Sequence, residues 1–131
     1  MSPMQDACDI RIRVRYAEVD RMGVVHHSRY WVYFEMGRTE LLRACGGNYR
    51  EMEEEGLRIV VVKADCRYRR PARYDDVLRV QTTVAQVSAA RIEHEYHVRR
   101  DGELLAVGHV TLAVIDSDGH IQRVPEWMHG E

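Results

Sequence analysis

Hydrophobic and charged residues alternate strictly in one segment near the start of the chain. The apolar positions are Ile10, Ile12, Val14 and Tyr16, and the positions between them are Arg11, Arg13 and Arg15. A period of two predicts a strand with one buried face and one face in water. The pattern favours a solvated role for the arginines, and a phosphate-binding stripe is the alternative interpretation.

From Ser28 onward the hydrophobic residues follow the period of a helix. The predicted apolar face is formed by Tyr30, Phe34, Leu41 and Cys45 and is widened by Trp31, Met36 and Leu42. Gly46 and Gly47 are predicted to end the helix, because glycine readily adopts the left-handed cap conformation. Gly37 inside the helix costs about 1 kcal/mol relative to alanine. We therefore expect Gly37 to pack closely against a neighbouring backbone.

The rest of the chain has the patterns of a short helix and several strands. The short helix is predicted over residues 48–55, with Asn48 as its cap. Strands are predicted over residues 58–70, 77–87, 91–100, 103–115 and 121–124, and Asp101-Gly102 marks a two-residue hairpin. A long apolar helix followed by antiparallel strands indicates an α+β domain whose sheet packs on the helix. The length predicts a single domain spanning residues 1–131.

Composition narrows the class of protein. The chain has 131 residues with 19 basic and 21 acidic side chains, a net charge of −2, so no basic field predicts a nucleic-acid partner. The three cysteines show no paired spacing, which favours a reducing compartment over a disulfide framework. No signal-peptide pattern is present, and no apolar run reaches membrane-spanning length. We expect a soluble, cytoplasmic protein without membrane insertion.

The most informative segment lies between the predicted strand and the long helix. It contains two acids, Glu18 and Asp20, then Gly23, and then the pair His26-His27. This order predicts a strand, a tight loop and a helix start, with a carboxylate beside backbone N–H groups that lack partners. Such an arrangement can bind a carbonyl oxygen and attack the carbon next to it.

The residues of this segment resemble those of a known enzyme family. The first motif is Tyr16-x-Glu18-x-Asp20-x-x-Gly23-Val24-Val25-His26-His27-x-x-Tyr30, followed by Phe34-Glu35-x-x-Arg38-Thr39-Glu40, and the second is Tyr68-Arg69-Arg70-Pro71-Ala72-Arg73-Tyr74-Asp75-Asp76. Together they resemble the hotdog-fold acyl-CoA thioesterases, most closely the 4-hydroxybenzoyl-CoA thioesterase-like group that includes the Tol-Pal-associated (YbgC-type) enzymes. The resemblance covers about residues 10 to 115.

This chain departs from the family at several positions of the first motif. The family usually has Asp at the position of Glu18, small residues at Arg21 and Met22, and Tyr or Trp at His26. With these departures, the sequence allows either an aromatic or an aliphatic acyl group in the substrate. The resemblance implies a hotdog fold, in which a five-stranded antiparallel sheet wraps around one long central helix. It also implies a homodimer or homotetramer with sites at the subunit interface.

The resemblance also implies roles for individual residues. Asp20 would be the catalytic carboxylate, which either attacks the thioester or activates a water molecule. The backbone N–H of His27 would polarise the thioester carbonyl. The candidate substrate-binding residues are Gly23, Val25, His26, Tyr30, Arg70 and Arg91. Glu18 is expected to pair with an arginine or to support the loop.

Several assignments remain open on sequence. The imidazoles of His26 and His27 are either proton donors and substrate ligands or packing groups. Glu35 is a reserve nucleophile, or it pairs with Arg38. The phosphates of coenzyme A are expected to meet arginines, for which the candidates are Arg69, Arg70, Arg73 and Arg91.

Other functional classes fit the sequence less well. The histidines lack metal-ligand spacing, and neither a Gly-x-Ser-x-Gly elbow nor a Gly-rich dinucleotide turn is present. We expect no metal and no other cofactor, and acyl-CoA or acyl carrier protein as the partner. The alternative function is a non-catalytic hotdog module that binds acyl-CoA or acyl carrier protein. A dehydratase on the same fold would need a different Asp/His pairing.

Overall fold

The computed structural model describes residues 7–47 and 49–128, and the predicted cap Asn48 lies outside them. The helices and strands are β1 (Ala7–Arg13), α1 (Arg29–Ala44), α2 (Tyr49–Glu54), β2 (Arg58–Tyr68), β3 (Val77–Val87), β4 (Ile92–Arg100), β5 (Glu103–Ile115) and β6 (Ile121–Gln122). Short 3₁₀ turns lie at Tyr16–Glu18 and Glu126–Met128. The predicted α+β order of elements is confirmed. Within the described residues no helix is both long and apolar enough to cross a membrane.

The strands form one antiparallel sheet. Its order is β1-β3-β4-β5-β2, and the two-residue β6 pairs with the end of β5. The five long strands match the predicted five-stranded sheet, to which β6 is a small addition. Asp101 and Gly102 have φ values of 50° and 82°, as the two central residues of a type I′ turn require. The predicted hairpin between β4 and β5 is therefore confirmed.

Alternation along β1 turns one face toward the core. Ile12 is buried, whereas Arg11 and Arg13 on either side of it are exposed. Tyr16 is predicted to share the buried face, and this prediction is wrong, because its side chain is 77% exposed. The strand ends at Arg13, and the chain then enters a 3₁₀ turn, where a period of two no longer applies.

Helix α1 ends at the two glycines predicted to end it. Gly46 has a φ of 90°, and its N–H donates to the carbonyl oxygen of Arg43 at 3.0 Å. The Gly47 N–H donates to the carbonyl oxygen of Leu42 at 3.1 Å. These two bonds form a Schellman motif, which satisfies carbonyls that the last helical turn leaves without partners.

The buried face of α1 differs in part from the predicted face. It is formed by Tyr30, Tyr33, Phe34, Gly37, Leu41 and Leu42. Trp31 and Met36 are 36% and 44% exposed, so their predicted place on this face is wrong. Around the helix axis Tyr33 lies about 60° from Tyr30, whereas Trp31 lies about 100° from it. Tyr33 therefore belongs to the stripe that faces the sheet, and Trp31 lies at its margin.

Two glycines allow α1 to lie close to the sheet. A Cβ atom on Gly37 would collide with Oγ1 of Thr82 on β3, and one on Gly108 in β5 would lie 2.5 Å from the ring of Phe34. The ring of Phe34 stacks on Tyr96 of β4 with centroids 4.5 Å apart. The expected close packing at Gly37 is confirmed, but the neighbour is a side chain and not a backbone.

We predict that Gly37→Ala lowers the free energy of unfolding. About 1–3 kcal/mol of overpacking should exceed the roughly 1 kcal/mol that alanine contributes to helix formation. The same substitution should become neutral or stabilising in a Thr82→Ala background, which removes the colliding oxygen. A Thr82→Val background keeps a γ atom there and should preserve the penalty. Urea unfolding measures all six proteins, and equal penalties in the alanine and valine backgrounds would contradict the contact.

Candidate active site

A tight loop between β1 and α1 carries Asp20. Val19 and Val25 pair as an antiparallel bridge at the base of this loop. The Asp20 N–H donates to the Val24 carbonyl oxygen at 2.8 Å, and the Gly23 N–H donates to the Asp20 carbonyl oxygen at 2.9 Å. Gly23 has a φ of 79°, a left-handed conformation that favours glycine. The tight loop predicted from the sequence is therefore present.

The carboxylate of Asp20 is held by one of its two oxygens. Oδ1 accepts hydrogen bonds from the backbone N–H groups of Met22 at 2.8 Å and Val24 at 3.4 Å. Within the described residues both of the hydrogen bonds to this carboxylate go to Oδ1. Oδ2 is thus available to a substrate or a water molecule, while the loop backbone fixes the orientation of the side chain.

The backbone N–H of His27 lies at the start of α1. The N–H groups of Arg29 and Tyr30 donate to the carbonyl oxygens of His26 and His27, at 2.9 and 3.3 Å. These two tight turns lead into the first turn of α1. The Ser28 N–H donates to Nδ1 of His26 at 3.2 Å. Residues 7–47 and 49–128 offer the His27 N–H no acceptor. This donor is therefore unused at the positive end of the helix dipole.

Asp20 and His27 line the same pocket, a cavity of about 310 Å³. Its other lining residues are Val24, Val25, Tyr30, Tyr68, Arg69, Arg70 and Pro71. The pocket thus brings together six residues named from the sequence, namely Asp20, Val25, His27, Tyr30, Arg69 and Arg70. Gly23 and His26 shape the loop beside it. Arg91 lies elsewhere, in the turn between β3 and β4, where its Nη1 donates to the Ala90 carbonyl oxygen.

The second motif forms the opposite wall of the pocket. The Val25 N–H donates to the Ala72 carbonyl oxygen at 2.8 Å, and Val24 pairs with Arg73 as an isolated bridge. These contacts pin the Asp20 loop to the segment that follows Pro71. The two motifs are therefore adjacent in space, although the contacting residues Val25 and Ala72 are 47 positions apart in the chain.

Tyr68 is a pocket residue to which the sequence reasoning gave no role. Its hydroxyl donates to the His27 carbonyl oxygen at 3.3 Å, and its ring meets the Tyr30 ring edge-on at 5.2 Å. Partial burial, reinforced by the Cys66 thiol, raises the pKa of Tyr68 to about 12. The hydroxyl therefore stays protonated at neutral pH and can donate. In the sequence, Tyr68 could have been noticed because it is the first residue of the second motif.

The imidazole of His26 accepts a hydrogen bond from the backbone at the start of α1. Nδ1 accepts the Ser28 N–H and lies 2.8 Å from the Ser28 Oγ. Because a backbone N–H can only donate, Nδ1 must be unprotonated, which puts the proton of the neutral ring on Nε2. The rings of His26 and His27 lie with their centroids 4.2 Å apart and their planes inclined by 31°. The His26 side chain thus satisfies the N–H of Ser28, the residue just before the helix.

Glu18, two residues before Asp20, has a different environment. It is buried, and its carboxylate accepts hydrogen bonds from the Arg15 N–H at 2.8 Å, the Arg15 guanidinium at 3.1 Å and the Tyr33 hydroxyl at 3.1 Å. Burial alone would raise the pKa of Glu18, but these donors outweigh it and hold the pKa below its ordinary value. Glu18 thus supports the loop and pairs with an arginine, as expected.

Of the remaining candidate residues, some line the pocket and others lie outside it. Glu35 is 67% exposed, lies outside the pocket and approaches Arg38 at 4.0 Å, which matches its expected salt bridge. Arg70 lines the pocket while its Nε lies 3.3 Å from Glu103. Among the described residues, one group could hold a metal ion: Asp116, Asp118 and His120, in the turn before β6 and outside the pocket.

Comparison with known proteins agrees with this architecture. Residues 14–130 match the family model described as the thioesterase-like superfamily. The chain belongs to this superfamily.

Relatives and solved structures of the superfamily align over most of the chain. An acyl-CoA thioesterase from Haemophilus influenzae, YbgC, is 37% identical over 106 residues, which cover 80% of this chain and 78% of that protein. The crystal structure of a probable thioesterase from Bartonella henselae has a TM-score of 0.88 and 33% identity, covering 91% of this chain and 99% of that one.

A more distant structure shows the shared fold. A 4-hydroxybenzoyl-CoA thioesterase complexed with 4-hydroxybenzoyl-CoA has a TM-score of 0.86 at 18% identity, covering 93% of this chain and 95% of that one. At that identity the likeness concerns the fold alone. The predicted hotdog fold is confirmed. The resemblance to the YbgC-type enzymes is also confirmed, by the family model and by the relative from Haemophilus influenzae.

We predict that Glu18→Gln destabilises the protein by about 1.5–3 kcal/mol at pH 7, because a buried charged acceptor with three donors is lost. The folded-state pKa of Glu18 lies below its ordinary value of 4.5, so its contribution is present above that pH and is lost as the pH falls through the folded-state pKa. The difference between wild type and variant should therefore narrow in acid.

Urea unfolding at pH 7 and in the acid range below pH 4.5 measures this difference for Glu18. Glu35→Gln, at an exposed helix position, is the matched control and should change stability by less than about 0.5 kcal/mol. A Glu18→Gln penalty that is the same at both pH values would show that the carboxylate charge is not what stabilises the loop.

Proposed function

We propose that the protein hydrolyses acyl-CoA thioesters to a free acid and coenzyme A. One observation carries this proposal: Asp20, whose Oδ2 has no hydrogen bond among the described residues, and His27, whose N–H has no acceptor among them, line the same cavity of about 310 Å³. A thioester hydrolase needs a nucleophile or base on one side of the carbonyl and an oxyanion donor on the other. The relative from Haemophilus influenzae, whose name is acyl-CoA thioesterase, supports the same activity.

In this mechanism the thioester carbonyl oxygen accepts a hydrogen bond from the backbone N–H of His27. The helix dipole adds positive potential at that point, and one such donor lowers the barrier by roughly 3 kcal/mol. Asp20 then acts through Oδ2 in one of two ways. It attacks the carbonyl carbon and forms a mixed anhydride that water cleaves, or it takes a proton from a water molecule that attacks directly. Both routes consume one water and release a carboxylic acid and a thiol.

The walls of the pocket suit the two halves of the substrate. Tyr30, Val25 and the ring of Tyr68 offer an apolar surface for the acyl group. Arg69 and Arg70 at the rim offer guanidinium groups for the phosphates of coenzyme A. Arg70 already contacts Glu103 at 3.3 Å, so a phosphate would compete with that carboxylate. Arg73 and Arg91 do not line the pocket, and their contribution stays a prediction.

The proposal includes a homodimer or homotetramer with sites at subunit boundaries. Strand β2 is an edge of the sheet and is exposed over most of its length, and Val61 and Val62 on it are about half-exposed. An apolar edge strand of this kind favours pairing with another chain. The cytoplasmic location and the use of acyl carrier protein in place of coenzyme A also stay predictions.

We predict that Asp20→Asn lowers kcat for thioester hydrolysis at least about 100-fold, because the amide can neither attack nor accept a proton. Substrate affinity and oligomer size should not change. Release of free thiol from a panel of aromatic and aliphatic acyl-CoA substrates measures the rate. Asp118→Asn, in an exposed turn, is the control and should hydrolyse at the wild-type rate.

Hydrolysis also separates the enzyme from the alternative function. If wild type binds acyl-CoA without turnover on every substrate of the panel, the protein is a non-catalytic binding module. If Asp20→Asn turns over like wild type, the catalytic assignment of Asp20 is wrong.

We predict that the backbone of His27 matters more for catalysis than its imidazole. His27→Ala keeps the N–H and should retain kcat within about tenfold of wild type. His27→Pro removes the N–H and should lose at least about 100-fold, while proline is tolerated at a helix start. Thermal unfolding checks that both variants fold. Equal losses in the two variants would assign the role to the imidazole.

A further inference from the structure

Three arginines form a row across the face of the sheet that points away from α1. Arg11 on β1 lies directly opposite Arg79 on β3, and Arg79 lies directly opposite Arg99 on β4. Their neighbours along the strands, among them Ile12 and Val80, point into the core. The row is therefore built by the strand register, and no single stretch of sequence displays it.

The arginine row lines a cavity of about 400 Å³. Asp101 and Gly102 of the β4–β5 hairpin also line it. None of the residues that line this cavity also lines the pocket of Asp20 and His27. The cavity is therefore separate from that pocket.

The positive charge of the row is only partly compensated. Arg79 pairs with Asp9 at the neighbouring edge strand. In the described part of the chain Arg11 and Arg99 form no ion pair or side-chain hydrogen bond, and Asp101 brings one carboxylate to the cavity rim. Like charges directly opposite each other on neighbouring strands destabilise a sheet. An anion bound in the cavity would remove that repulsion.

The spacing of the row indicates the kind of anion. Neighbouring strands are about 4.8 Å apart, so the Cα atoms of the outer two arginines are separated by about 10 Å. Guanidinium forks bind phosphate oxygens in a bidentate manner. We propose that Arg11, Arg79 and Arg99 bind the phosphate chain of an oligophosphate, either inorganic or part of a nucleotide. This site does not depend on the proposed hydrolysis.

Isothermal titration of the full chain at low salt tests the proposal, with tripolyphosphate, ATP and adenosine as probes. Tripolyphosphate and ATP should both bind, since the row contacts phosphate in either source, and adenosine should not. Arg99→Gln should weaken tripolyphosphate binding by about tenfold, because one bidentate contact is lost. Thioester hydrolysis should be unchanged in this variant, since Arg99 lies outside the catalytic pocket.

Arg13→Gln is the matched control. Arg13 lies on the same exposed face of β1 but outside the cavity, and it pairs with Asp75 at 3.2 Å. It should leave the affinity for tripolyphosphate within about twofold of wild type. Equal losses from Arg13→Gln and Arg99→Gln would overturn the proposal in favour of diffuse surface charge. Absence of tripolyphosphate binding, or equal binding of adenosine, would also overturn it.

Discussion

The close contact between α1 and the sheet is the constraint on which the rest of the structure depends. Gly37 and Gly108 lack side chains at the points where Thr82 and the Phe34 ring need the space. The helix can therefore lie against the sheet at one height and one rotation, because a packed interface of this density has few alternatives. That seating fixes where the first turn of α1 emerges, and so it fixes the direction of the His27 N–H.

The loop that carries Asp20 is held against this helix. Glu18 accepts a hydrogen bond from the hydroxyl of Tyr33, which lies on α1. The backbone of the loop pairs with the segment after Pro71. Glu18 and Asp20 are two residues apart, yet their carboxylates lie in different environments. The carboxylate of Glu18 is buried and accepts three hydrogen bonds, whereas Asp20 has no hydrogen bond to its Oδ2 among the described residues. The same chemical group is thus structural at position 18, whereas at position 20 we propose that it is reactive.

The sequence was informative wherever a short-range rule decides the structure. Strand alternation, the Gly46-Gly47 helix end, the Asp101-Gly102 hairpin and the loop around Asp20 follow from local conformational preferences. It failed where tertiary packing chooses between close alternatives, as at Trp31 and Tyr33. Tyr68 and the arginine row were hidden for another reason, because each depends on which residues of distant strands or loops become neighbours.

The central claim is that Asp20 and the His27 N–H act on a single thioester carbonyl. A crystal structure with an acyl-CoA analogue that has a ketone in place of the thioester tests it most directly. We expect the ketone oxygen to lie about 2.7–3.1 Å from the His27 nitrogen. We also expect the ketone carbon within about 3.5 Å of Asp20 Oδ2, or of a water bound to it. A ketone oxygen that bonds elsewhere, with the Asp20 carboxylate remote from the carbon, would contradict the claim.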